Sequence, residues 1–355
     1  MSFMTIERKG CTVEFETPEL YVDNQARKRS GHMSHALAEF APGCIINFNA
    51  NSSAVRADGH AAYGWVEYRI SRDAGKTYGE VKTLPYSWDA FLDGLFTVSV
   101  EKVVACDDGS LVAFCLRNGM LQPVCCEPWM TPTYIRSFDQ GETWTEPVEL
   151  SPYTGRIYDA LYKDGVIYVM HCCGDFFLHQ KEEDQHYRLY KSIDNGATFE
   201  EVSIIPFPQE RRSYGNMIFD QNGRLHAYGY NDIKERELDH AVSDDNGKTW
   251  TLLEPCYLDK AIRNPQVGYV DGVYVMHGRS EGALGFVFYT SEDATTWDEG
   301  TFLNKWDHPI GQYYSNNITL EDEQGKFLLV QYSESYDGSG RVNIKHTRLR
   351  VKPKA

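Results

Sequence analysis

Short strand-like stretches recur along the chain, alternating apolar and polar residues in Tyr68-Arg69-Ile70 and mostly or wholly apolar in Thr133-Tyr134-Ile135 and Phe286-Val287-Phe288-Tyr289. A period of two predicts half-buried β-strands. Each of these strands runs into one pattern: serine, any residue, aspartate, any residue, glycine, any residue, threonine, aromatic. The pattern occurs at Ser71-Asp73-Gly75-Thr77-Tyr78, Ser137-Asp139-Gly141-Thr143-Trp144, Ser192-Asp194-Gly196-Thr198-Phe199 and Ser243-Asp245-Gly247-Thr249-Trp250. A fifth copy, Ser291 to Trp297, is one residue shorter and lacks the glycine. Successive serines are 66, 55, 51 and 48 residues apart.

Each position of the pattern has a job in a tight hairpin. The aspartate caps free N–H groups, the glycine accepts the positive φ that other residues resist, and the aromatic re-enters the core as the next strand starts. A second internal similarity, Tyr162-Lys163-Asp164-Gly165-Val166-Ile167-Tyr168-Val169-Met170-His171 against Tyr269-Val270-Asp271-Gly272-Val273-Tyr274-Val275-Met276-His277, reads as strand, Asp-Gly turn, strand. Two hairpins per repeat make four strands in about fifty residues, the size of a propeller blade. Five repeats and the segment from Gln312 to Val351 give six blades. The last holds three strands, and the alternating Cys11 to Thr17 supplies the fourth, closing the ring and removing its open edges. The expected fold class is all-β, a six-bladed β-propeller formed as a single domain over 1–355.

The repeated box resembles the Asp-box, or bacterial neuraminidase repeat, of the sialidase superfamily, and the resemblance spans nearly the whole chain. It implies a six-bladed propeller whose boxes sit on the face away from the site. Connectivity alone places a site on that opposite face, where the long connections emerge: Asn49–Tyr63, Arg117–Thr131, Cys173–His186, Tyr230–Asp239 and Arg279–Gly282. The starts of the innermost strands point into the funnel there. They offer His32 to His35 in blade 1, Asp93 in blade 2, Tyr158 and Asp159 in blade 3, Arg212 and Tyr214 in blade 4, Arg263, Asn264 and Gln266 in blade 5, and Tyr313 and Tyr314 in blade 6. Such a lining suits a polar ligand.

Residue by residue, the resemblance implies Tyr314 in Gly311-Gln312-Tyr313-Tyr314-Ser315 as nucleophile, Asp58 as general acid/base and Arg279 as a substrate-orienting arginine. The departures are at least as informative. Where sialidases open blade 1 with an arginine that clamps the substrate carboxylate, this chain has Met33; the activating glutamate aligns near Tyr214, which makes Tyr214 the third catalytic candidate, and a second clamping arginine aligns near Tyr230. Bidentate arginine forks are the strongest holders of carboxylates, and a phenol of ordinary pKa near 10 is a poor nucleophile without a base. The site is therefore expected to depart from that of a standard sialidase, with Arg212 and Arg263 as candidates to rebuild an anion site and His35, Asp93 and Asp159 as further substrate contacts.

Composition narrows the partners. The formal charge of −16 repels phosphate backbones, so nucleic acid is not expected; no run of about eighteen apolar residues is present, so no membrane span is expected either. Nine irregularly spaced cysteines and no secretory signal in the chain as given suggest free thiols and a cytoplasmic protein. His32 and His35, three apart on an extended strand, point to opposite faces, so neither a metal nor another cofactor is expected. The function expected is an exo-acting glycoside hydrolase of the sialidase superfamily taking a small anionic or polar carbohydrate into the funnel. The alternatives are a non-catalytic glycan-binding propeller, a lyase or isomerase acting on a uronate-like sugar, and a scaffold propeller binding proteins on its outer loops.

Overall fold

In each of the four intact boxes the serine, aspartate, glycine and threonine make one hydrogen-bonded turn. In the computed structural model, which describes residues 2–8, 10–53, 64–120, 129–174, 186–280, 285–305, 312–338 and 340–354, Ser137 Oγ donates to Asp139 Oδ1 (2.8 Å) and accepts from the Gly141 amide (2.8 Å). Asp139 in turn accepts from the amide (2.8 Å) and hydroxyl (2.6 Å) of Thr143. The same four contacts recur around Asp73, Asp194 and Asp245. In the shortened fifth copy Ala294 takes the positive φ, and Asp293 caps the amides of Thr295 (2.8 Å) and Thr296 (2.7 Å).

These turns join the third and fourth strands of antiparallel sheets that form the ring of a six-bladed β-propeller. The inner strands are Leu37–Ala41, Phe96–Ala105, Gly155–Lys163, Arg212–Phe219, Arg263–Val270 and Ser315–Asp322. The chain ends close the ring as the alternation predicts: Cys11–Glu16 pairs with Val342–Pro353, with Phe15 opposite Leu349, and stands fourth in blade 6. Ser2–Glu7 adds a fifth strand outside it.

Core side chains interlock between blades. Trp144, the closing aromatic of the second box, meets Phe48 and Tyr68 of blade 1 at 5.8 and 6.1 Å between ring centroids. The box glycines also face a neighbouring blade: a Cβ on Gly196 would lie 2.7 Å from Val112 of blade 2.

One connection differs from expectation. Blade 1 reaches blade 2 through a helix, Pro85–Asp93, begun by a proline whose φ suits the first turn and ended by Gly94 in the left-handed conformation. Asp93 is consequently the exposed last residue of this helix and does not start the inner strand, which begins at Phe96. Seven cysteines fall within the described residues, and all are free.

Candidate functional site

The inner strands of blades 2 to 5 each carry a register shift, at Val100/Lys102, Ile157/Asp159, Ser213/Gly215 and Arg263/Gln266. Such bulges re-aim side chains, and here they belong to the strands that supply a polar girdle. Lys102 Nζ contacts Asp159 Oδ1 at 2.9 Å and donates to Gln266 Oε1 (2.7 Å) and Asn316 Oδ1 (2.9 Å). Asp159 also accepts from Asn216 Nδ2 (2.8 Å) and the Met217 amide (2.6 Å). Blades 2 to 6 thus each contribute one side chain. Burial pushes the Asp159 carboxyl above its ordinary range, against the pull of Lys102 and the surrounding amides.

Beyond this girdle is a pocket whose wall includes His35, Glu101, Arg156, Tyr158, Asn264 and Tyr314. Four non-glycine residues at the entries to inner strands, Ser34, Tyr214, Asn264 and Tyr313, have positive φ of +63°, +49°, +55° and +57°. Strained backbone of this kind costs of order 1–3 kcal/mol per residue and clusters at functional sites. It brings the hydroxyls of Tyr214 and Tyr314 to 3.0 Å from one another, both side chains being buried. The Arg279 guanidinium lies over the Tyr314 ring at 4.9 Å, and Arg156 lies 5.7 Å from the Tyr214 ring centroid. Arg156 is held by Glu101, whose Oε2 accepts from Nε (2.9 Å) and Nη2 (2.6 Å). His35 bonds through Nε2 to the His32 carbonyl (2.9 Å), and burial lowers its pKa to about 4.

The structure therefore brings together Tyr314, Tyr214 and His35, with Arg279 against the first. It does not bring the other expected contacts to the same wall. Arg212 is buried in an ion pair with Asp239. Arg263 is taken up by Glu235 (2.8 Å), Asp232 (3.1 Å) and the Tyr230 hydroxyl (2.8 Å). Asp159 belongs to the girdle, Asp93 to the helix end, and Asp58 lies outside the described residues. Met33 stands in the pocket wall, its sulfur 3.9 Å from Arg156 Nη2.

Glu101 and Arg156 are functional candidates that the sequence reading missed. Both left a signal. Glu101-Lys102 is a charged pair inside the strand Phe96–Ala105, whose other residues are all uncharged, and Arg156 is two residues from Tyr158, the spacing that shares a strand face.

Comparison with known proteins agrees with this architecture. The BNR/Asp-box repeat family model matches residues 241–252, which contain the fourth box. A search of curated protein sequences returns no match. Among solved structures, a Dyadobacter fermentans protein of unknown function superposes with a TM-score of 0.73 at 16% identity, covering 96% of this chain and 99% of that one. A Hadza microbial sialidase superposes at 0.70 with 15% identity, covering 93% and 68%. Trypanosoma rangeli sialidase in complex with sialic acid superposes at 0.64 with 12% identity, covering 94% and 58%. The chain is a sialidase-like six-bladed β-propeller carrying BNR/Asp-box repeats.

Proposed function

We propose that the protein is a carbohydrate-active enzyme of the glycoside-hydrolase type that admits a small polar sugar to the funnel, with Tyr314 meeting the anomeric carbon. The observation that carries this reading is the 3.0 Å contact between the Tyr214 and Tyr314 hydroxyls in a strained, buried setting. Attack by Tyr314 requires loss of its phenolic proton, which the Tyr214 oxygen takes up as Tyr214 releases its own proton to solvent. Positive charge over the Tyr314 ring, from Arg279, favours negative charge developing on its phenol oxygen. In this scheme the bond from Tyr314 oxygen to the sugar forms as the glycosidic bond breaks, and the leaving oxygen takes a proton from Asp58. The water that later releases the sugar gives its proton back to Asp58, and the freed phenolate is reprotonated from solvent by the same route. Asp58 and Tyr314 hold these roles by resemblance to sialidases.

The test is release of a fluorescent aglycone from an α-sialoside and from a set of neutral glycosides, with Tyr314→Phe alongside. Turnover by the parent protein that the variant loses supports the reading. Equal turnover in both removes Tyr314 from the chemistry. One observation favours a second reading, a glycan-binding propeller: a tyrosine, Tyr214, stands where sialidases have the activating carboxylate. Calorimetric binding with no product by NMR would select that reading.

A further inference from the structure

The cations of the innermost strands at the funnel are all answered from within. Lys102, Arg156, Arg212 and Arg263, one from each of blades 2 to 5, are paired with Asp159, Glu101, Asp239, and Asp232 with Glu235, respectively. A carboxylate entering beside such a pair meets a dipole in place of a net charge, and must shed its water to do so.

Two of the hydrogen-bonding groups left over in the pocket are acceptors. Glu101 Oε1 is buried with no hydrogen-bond partner among the described residues, and an ionised carboxylate only accepts. His35 Nδ1 is likewise buried and unpartnered, in a residue 6% exposed. Because the partner of His35 Nε2 is a carbonyl oxygen, Nε2 carries the proton and Nδ1 of the neutral ring is an acceptor. Two unpartnered acceptors on one wall call for donors. Sugar hydroxyls donate; a carboxylate does not.

Resting on the reading of the funnel as a sugar site, we propose that its ligand is a neutral, hydroxyl-rich sugar, selected against carboxylated sugars by Glu101 and the His35 Nδ1 lone pair. Glu101 thereby acts as the specificity determinant: it neutralises Arg156 and accepts a ligand hydroxyl through Oε1.

The test uses matched pairs that differ only at C6: methyl glucoside against methyl glucuronide, and methyl galactoside against methyl galacturonide, with N-acetylneuraminate added. Binding to the full-length protein is measured by calorimetry and ligand-observed NMR. The neutral member of at least one pair is expected to bind tighter than its uronate by about ten-fold or more. Glu101→Gln, which removes the carboxylate charge beside Arg156, is expected to shrink or reverse that ratio by about ten-fold. Equal or tighter binding of the uronates or N-acetylneuraminate by the parent protein overturns the proposal while leaving the sugar site standing. Should the parent protein bind none of these sugars, the sugar-site reading falls, and this proposal falls with it. The comparison within the parent protein decides the matter even if Glu101→Gln fails to fold.

Discussion

Lys102 Nζ lies 2.9 Å from Asp159 Oδ1, and both side chains are almost wholly withdrawn from solvent. The ammonium also donates to Gln266 and Asn316, so one cation links blades 2, 3, 5 and 6 across the axis of the ring. Removing one partner of a buried pair strands the other charge, at a cost of roughly 3–5 kcal/mol. Asp159→Ala should therefore lower unfolding stability by about that amount, and Lys102→Met combined with Asp159→Leu should recover much of it. Urea unfolding of these two variants and the parent checks this. A single variant within about 1 kcal/mol of the parent would show that the girdle is not under this electrostatic tension.

The paired phenols make separable predictions for Tyr214 and Tyr314. Tyr314→Phe removes the reacting oxygen and should abolish glycoside turnover. Tyr214→Phe keeps the nucleophile but removes the neighbouring oxygen, so kcat should fall by roughly 10²-fold with KM little changed, the range of a lost acid–base partner. Steady-state kinetics on an active glycoside distinguishes the two. Unchanged kcat in Tyr214→Phe would assign Tyr214 to packing alone.

Much of this molecule could be read from short-range patterns. The box turns, the Asp-Gly hairpins and the closure by Cys11–Glu16 all rest on local chemistry: side-chain caps, positive φ and alternation. The site was only partly legible because it depends on which distant side chains meet. Tyr314 and Tyr214 were found from strand position, yet their contact spans 100 residues and follows from two left-handed backbone positions that the sequence does not mark with glycine. Arg212 and Arg263 look available as residues but are neutralised by Asp239, Asp232 and Glu235, partners in the same or the preceding blade that lie 27 to 31 residues away. Asp93 was misplaced because a proline-initiated helix fills the link that strand counting treated as the start of blade 2.

Glycine at the boxes is required for two separable reasons, and Gly196 shows both. Its φ is +78°, and an added Cβ would also meet Val112 of the neighbouring blade at 2.7 Å. Gly109 has a similar φ of +82° but nothing within 4 Å. Gly109→Ala should cost only the left-handed penalty, about 1–2 kcal/mol. Gly196→Ala adds overpacking of the blade interface, typically a further 1–3 kcal/mol or so. Parallel thermal and denaturant unfolding measures the difference, and equal destabilisation would mean that the blade contact yields freely.

Buried histidines set the acid limit of stability. Burial lowers the pKa of His35 to about 4 and those of His171, His240, His277 and His346 to about 3. His277 shows why the neutral form is kept: one ring nitrogen meets Ser315 Oγ at 3.0 Å and the other the Asn317 amide nitrogen at 2.9 Å. A base whose folded pKa lies below its unfolded value binds a proton on unfolding. Its contribution is therefore complete above about pH 6.5 and is lost as pH falls from there toward the folded value. Between pH 7 and 5 each such histidine should remove about 2 kcal/mol at most. The box aspartates act in a lower window, since the Thr143 hydroxyl and amide hold Asp139 at about 2. Urea unfolding followed from pH 7.5 to 5 should show falling stability with net proton uptake, and His277→Asn should flatten the slope by about one proton. A stability that stays level down to pH 5 would mean that these histidines are already charged or exposed in the folded protein.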